Sequence, residues 1–238
     1  MSIRRPLLFV AVCAVVAGVT IAAAAAIPHG DTSDPIATGI PGASTAGSIS
    51  LTNQTWVCRG PVDLDSVTVT MDAGGRRGGD AVHLESGCTG RIGTLNVTES
   101  IADGVKVAEG AHDLTIGGGS IRCLAKVPDV HQDGIQVLGG ARITFRNLAI
   151  SCGRAGESLI NSNLFIKESG RSTTPPTDVV CVDCTLGGDA AHTVNIQASV
   201  RSGVEDSTLC SAKYPKLTLT IGPDAVAPVD LRNTISGC

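Results

Sequence analysis

One phrase recurs along this chain, and its spacing restricts the fold more than any other feature. Asp80-Ala81-Val82-His83-Leu84, Asp103-Gly104-Val105-Lys106-Val107 and Asp133-Gly134-Ile135-Gln136-Val137 are three versions of it. Leu164-Phe165-Ile166, Val194-Asn195-Ile196 and Leu219-Thr220-Ile221 continue it more loosely. The first apolar positions, 82, 105, 135, 164, 194 and 219, are separated by 23, 30, 29, 30 and 25 residues. Alternation of apolar and polar residues within each run is the pattern of a strand with one buried face. A second run follows as Leu114-Thr115-Ile116, Ile143-Thr144-Phe145, Val180-Cys181-Val182 or Val229-Asp230-Leu231, often with Ile121, Ile150, Leu186 or Ile235 a few residues later. One strand pair cannot bury its own apolar face, but units repeated every roughly 20–50 residues bury theirs against one another. The expectation is an all-β solenoid of about six coils.

The start of the chain reads differently. Arg4 and Arg5 precede an apolar run from Leu7 to Val19, and Ala22 to Ala26 supply small residues for cleavage, so residues 1–26 read as a secretion signal. Left uncleaved, the run is also long enough to span a bilayer, which needs about 20 residues. Residues 27–48, rich in Pro, Gly, Ser, Thr and Asp and without periodicity, read as an arm or linker. Residues 49–238 are then the repeat domain, where 29 glycines in the whole chain and aromatics at only 2% suit stacked aliphatic ladders. Without the signal, Asp and Glu outnumber Lys and Arg by six, a surface that does not attract nucleic acid. The expected product is an extracellular monomer, touching a membrane only through an uncleaved signal.

The cysteines keep the same period. Cys58, Cys88, Cys123, Cys152, Cys181, Cys184, Cys210 and Cys238 form an even set, as in an exported chain with disulfides. Steps 58 to 88, 123 to 152, 152 to 181, 181 to 210 and 210 to 238 are 30, 29, 29, 29 and 28 residues. Residues one repeat apart would lie about 4.8 Å apart, within the span of a disulfide. This pairs Cys58 with Cys88 and Cys123 with Cys152. The last four stay open: either Cys184 with Cys210 and Cys181 with Cys238, or Cys210 with Cys238 and a local Cys181 to Cys184 bond. Zinc at Cys181-Val182-Asp183-Cys184 is the competing account.

Asp133-Gly134-Ile135-Gln136 preceded by His131, then Ile143-Thr144-Phe145-Arg146-Asn147, Asn163-Leu164-Phe165-Ile166 and His192-Thr193-Val194-Asn195-Ile196, together resemble the secreted pectate-lyase-like superfamily. The likeness is to a largely uncharacterised actinobacterial set, and Thr38-Gly39-Ile40-Pro41 is similar to its opening segment. The resemblance implies a right-handed, single-stranded parallel β-helix. It leaves the activity open, because that superfamily includes lyases, hydrolases, epimerases and adhesins. Polygalacturonase-type hydrolases place Asn-Thr-Asp where this chain has His131-Gln132-Asp133, followed by Asp-Asp, Gly-His-Gly and Arg-Ile-Lys. Only Phe165-Ile166-Lys167 approximates the last of these, and the Arg and Asp constellation of calcium pectate lyases is missing as well.

If positions 82, 105, 135, 164, 194 and 219 face inward, the next residue of each faces outward. His83, Lys106, Gln136, Phe165, Asn195 and Thr220 then form an exposed column suited to a sugar chain, with Phe165 as a platform and His83, Gln136, Phe165 and Asn195 as its binding residues. Asp80, Asp103 and Asp133 form a second column at the strand starts. Adjacent carboxylates there would hold Ca²⁺ or share acid and base duties, although an Asp before a strand more often accepts N–H groups of its own turn, the role expected of Asp80 and Asp103. Asp133 and the nearby His131 are candidates for proton transfer. Lys167 and Lys106 are candidates for the base of a β-elimination or for balancing a uronate carboxylate. Residues 170–178, containing Pro175-Pro176, are the expected rim. Three functions follow: a polysaccharide lyase or related enzyme on the Gln136 face, a non-catalytic glycan-binding module, or a structural envelope protein. No metal or cofactor is required beyond the Ca²⁺ alternative.

Overall fold

A computed structural model of the chain describes residues 37–38, 47–71, 79–100, 102–123, 132–153, 160–170, 172 and 174–238. The segment read as a signal lies outside them. All described strands fall in the unit Asp34–Cys238. The chain is all-β, with every described strand pairing parallel, in curled sheets compatible with a β-helix. One sheet has eight strands in the order Ala37–Thr38, Trp56–Cys58, Val82–Leu84, Val105–Val107, Asp133–Val137, Ile160–Ile166, Ala190–Ile196 and Leu219–Ile221. The other fifteen form a second sheet.

The recurrent phrase does stack. Val82 pairs with Val105, Val105 with Ile135, Ile135 with Leu164, Leu164 with Val194, and Val194 with Leu219. The first five of these side chains are buried, which is the packing that each repeat lacked alone. Two more rungs precede them, for Trp56 pairs with Val82 and Ala37 with Trp56. The eight-stranded sheet thus has two strands before those of the recurrent phrase, and the first, Ala37–Thr38, lies within the segment read as an arm. A further core column runs through Ile121, Ile150, Leu186, Leu209 and Ile235.

Two runs are a residue out of the expected phase: Val180 pairs with Thr144, so Val179 and Cys181 are the buried positions of that strand. Asp230, and not Val229 or Leu231, pairs with the enclosed Val204. Asn233 Nδ2 donates to Asp230 Oδ1 at 2.9 Å and to the Val204 carbonyl at 3.1 Å, so polar groups meet at this place in the last winding.

Corners are made by residues with positive φ. Asp113, Arg142, Asp178, Arg201 and Ala227 have φ of 50°, 53°, 54°, 45° and 48°, and successive members stand on adjacent windings. Asp tolerates this left-handed region better than most residues, and the alternation adds ion pairs. Arg142 Nε lies 2.5 Å from Asp113 Oδ1 and Arg201 Nε 2.7 Å from Asp178 Oδ1. These pairs are exposed, so each contributes little.

The glycine of the Asp-Gly phrase has a steric cause. A Cβ on Gly134 would stand 2.5 Å from the Asn163 carbonyl oxygen and 2.7 Å from Ile150 Cγ2, and one on Gly104 would stand 2.5 Å from Ile121 Cγ2.

Disulfides join Cys58 to Cys88, Cys123 to Cys152, Cys181 to Cys184 and Cys210 to Cys238, with Cα separations of 5.3, 4.4, 6.0 and 5.1 Å. The first two are the pairs that the repeat length dictates. Among the last four, the local alternative holds: Cys181 and Cys184 bond to each other, and their sulfurs are not a free zinc pair. A peptide map of the unreduced protein should find Cys181 and Cys184 bonded within one segment and Cys210 linked to the C-terminal peptide; a Cys184 to Cys210 peptide would contradict this arrangement. Four disulfides indicate an oxidising environment, and among the described residues no helix is long and apolar enough to cross a membrane.

Candidate functional site

The outward column exists in the expected register: His83 pairs with Lys106, Lys106 with Gln136, Gln136 with Phe165, Phe165 with Asn195, and Asn195 with Thr220. Its expected exposure fails in the middle. Gln136, Phe165 and Asn195 are only 7%, 8% and 5% exposed. Rungs about 4.8 Å away on both sides enclose a side chain standing on such a sheet, and Phe165 is wedged between Gln136 and Asn195. Gln136 is also drawn sideways, its Nε2 donating to Asp133 Oδ2 at 3.2 Å, while Gln197 Nε2 donates to Asn195 Oδ1 at 3.3 Å. Phe165 therefore presents no open ring face to a sugar. The two ends meet solvent: His83 and Lys106, with each side chain 30% exposed, and the partly exposed Thr220.

The aspartates beside the His83 and Lys106 end form a relay between windings. The backbone N–H of Asp103 donates to Asp80 Oδ1 at 3.0 Å, and that of Asp133 donates to Asp103 Oδ1 at 2.8 Å. Asp80 and Asp103 do accept backbone N–H groups, but each receives that of the next strand of the sheet and not that of its own turn. All three are buried.

Into this row comes one ammonium. Lys106 Nζ lies 3.1 Å from Asp80 Oδ2 and 3.1 Å from Asp103 Oδ2, the position between adjacent carboxylates that a cation would take. His83 Nε2 is also hydrogen-bonded to Asp80 Oδ2. Burial alone would raise the Asp80 carboxyl, but the His83 hydrogen bond and the Lys106 charge outweigh it and hold it below the ordinary value. Asp103 goes the other way: burial first, then the Asp80 charge, push it up to about 7. One ammonium cannot neutralise both carboxylates, and Asp103, nearly devoid of solvent contact, takes the proton. Burial opposes the charge of Lys106, yet Asp103 and Asp80 raise its pKa further than burial lowers it, so it stays an ammonium. Lys106 is thus a poor base and a good counter-charge.

The same geometry fixes the histidine tautomer. An ionised carboxylate only accepts, so the neutral His83 ring must carry its proton on Nε2 and keep the lone pair on Nδ1. That nitrogen lies 3.7 Å from Glu85 Oε1, and Glu85 is itself held by Arg59 Nε at 2.6 Å. His83, Glu85, Ser86, Lys106, Ala108 and Glu109 line an open groove of about 410 Å³. Thr174, from the segment expected to be a rim, donates its hydroxyl to Glu109 Oε1 at 3.0 Å. The rim therefore borders this groove.

The other expected catalytic groups do not join it. His131 lies outside the described residues. Asp133 has no solvent exposure; its Oδ1 accepts from Asn161 Nδ2 at 2.8 Å and its Oδ2 from Gln136. Lys167 is exposed, and no side-chain hydrogen bond or ion pair joins it to another described residue. The acid–base candidates brought together are His83, Asp80, Asp103 and Lys106. The sequence assigns His83 to binding and Asp80 to a turn, although both stand in the recurrent phrase and their spacing of three residues is the signal that joins them.

Compared with known proteins, the chain matches no family model, no curated protein and no solved structure. The class that fold and site define is a parallel, all-β, disulfide-bonded chain with a His–Asp–Lys groove at one sheet.

Proposed function

We propose that this is a secreted, right-handed parallel β-helix protein, similar to the pectate-lyase-like superfamily, that acts on an extracellular polysaccharide at the His83 and Lys106 groove. The observation that carries the reading is the pairing of a half-exposed base with a half-exposed cation on adjacent rungs, both anchored on buried Asp80. That is the minimal set for β-elimination from a uronate. Lys106 balances the sugar carboxylate, and His83 Nδ1 removes the proton on the carbon beside it. A carbon–carbon double bond forms as the glycosidic carbon–oxygen bond breaks, and the departing oxygen takes a proton from the imidazolium or from water. A protonated Asp103 leaves Lys106 balanced by Asp80 alone, so its charge remains available to substrate. The ammonium fills the place that the Ca²⁺ alternative assigned to the metal, and the reaction proposed does not use one.

The assay is release of ultraviolet-absorbing unsaturated uronate from a panel of polyuronates. Activity should fall at least about 100-fold in His83→Gln, the usual scale for losing a positioned general base, with the melting temperature little changed. Wild-type protein that yields no unsaturated product, or a His83→Gln variant as active as wild type, would sink the lyase reading.

A second reading, glycan binding without turnover, is favoured by a different face. Ser48, Ser66 and Thr94 stand side by side, as do Ser50, Thr68 and Asn96, and Thr52, Thr70 and Thr98. This uncharged three-by-three grid presents hydroxyls and one amide on parallel strands. Retardation in native gels containing neutral glycans, with no product released, would select that reading.

A further inference from the structure

The last winding differs from those before it. Tyr214, Ile221, Val226, Leu231 and Ile235 are the large apolar side chains exposed among the described residues, at 47%, 41%, 58%, 49% and 63%, and all follow residue 213. Ile221 stacks on Ile196 and Ile235 on Leu209, both fully enclosed, so core columns run to the end of the stack and stop uncovered. Leu219–Ile221 is the terminal strand of the eight-stranded sheet. On its inner side the Thr218 carbonyl accepts from the Val194 N–H at 2.9 Å, and the Gly222 N–H donates to the Ile196 carbonyl at 2.7 Å. Backbone groups alternate sides along a strand, so the N–H and C=O of Leu219 and Ile221 point to the open edge. Such an edge is a template for another strand.

We propose that this edge pairs with the same edge of a second copy, across a two-fold axis through Thr220. Antiparallel pairing about that point sets Leu219 opposite Ile221 of the second copy and Ile221 opposite its Leu219. All four residues bring outward-pointing groups, so each opposed pair exchanges two hydrogen bonds. The rotation also exchanges the segment before the strand with the one after it. The turn Pro215–Leu217, with exposed Lys216, then meets the turn carrying exposed Asp224. Tyr214 likewise approaches Val226. Opposite charges and exposed apolar groups therefore meet in both halves of a closed, isologous contact. A head-to-tail contact lacks this self-complementarity and would grow as an open fibre. The tail-to-tail dimer proposed here differs from the monomer expected from the sequence and does not depend on the activity proposed above.

Sedimentation equilibrium of the oxidised protein, secreted and freed of residues 1–26, tests it. The wild type should fit a reversible dimer. Lys216→Glu and Asp224→Lys should each raise the dissociation constant about tenfold, and the double variant should restore it. Ile221→Pro removes an outward N–H but leaves the inner-side bonds, a place where an edge strand accepts proline; it should be monomeric with an unchanged far-ultraviolet spectrum. A wild type monomeric at every concentration, open-ended growth, or charge variants that associate like wild type would overturn the dimer.

Discussion

Between pH 4 and pH 7 the wild type should lose on the order of 4 kcal/mol of stability relative to an Asp103→Asn variant, because the Asp103 carboxyl rises from 3.8 to about 7 on folding. In this window the unfolded chain has released the proton and the folded chain still holds it. The contribution is complete below pH 3.8, declines as the pH climbs to about 7 and is flat above that. Asp80 has the opposite sign and a different window: its folded pKa is depressed, so its contribution exists above 3.8 and disappears as the pH falls. His192, lowered by burial against the opposing charge of Asp133, gains stability as the pH rises through its range. Comparing Asp103→Asn with wild type isolates the one group, since the amide oxygen can still accept the Asp133 N–H. Urea titrations at several pH values that run parallel for the two proteins would show that Asp103 titrates normally, and the account of the Lys106 charge would fail with it.

Phe145→Ala should destabilise the protein by about 3–5 kcal/mol, the usual cost of emptying an enclosed aromatic site. Phe145 has no solvent exposure, and its neighbours in the column are Ile116 before it and Cys181 after it. The strand that carries Phe145 is paired on both sides, so the cavity weakens contacts to two neighbouring strands at once. The Cys181 to Cys184 bond lies beside the site, which restricts how far the walls can collapse. Denaturation with the disulfides intact gives the measurement. A loss below about 1 kcal/mol would mean that the column closes over the gap, contrary to close packing.

Much of the fold was legible from spacing. Val82, Val105, Ile135, Leu164 and Val194 stack because a strand's alternation fixes which side a residue faces, and a repeat near 30 residues returns the chain to the same place. Cys58 with Cys88 and Cys123 with Cys152 followed from that return. The site was less legible for the same reason: alternation says that Gln136 and Phe165 face outward, but not what will lie against them. His83 was legible as an outward residue and illegible as a base, because its role depends on contact with Asp80.

The amino-acid order alone determined a parallel stack with aliphatic columns and two cross-winding bonds, since these depend only on period and side-chain type. Tertiary structure decided the rest: that Asp80 and Asp103 share the ammonium of Lys106, that burial raises the Asp103 carboxyl to about 7, that the centre of the outer face is closed, and that exposed Asp230 stands in register with the enclosed Val204. Each depends on distances of a few ångströms between windings. Desolvation and charge coupling act over that range, and a repeat length does not specify it.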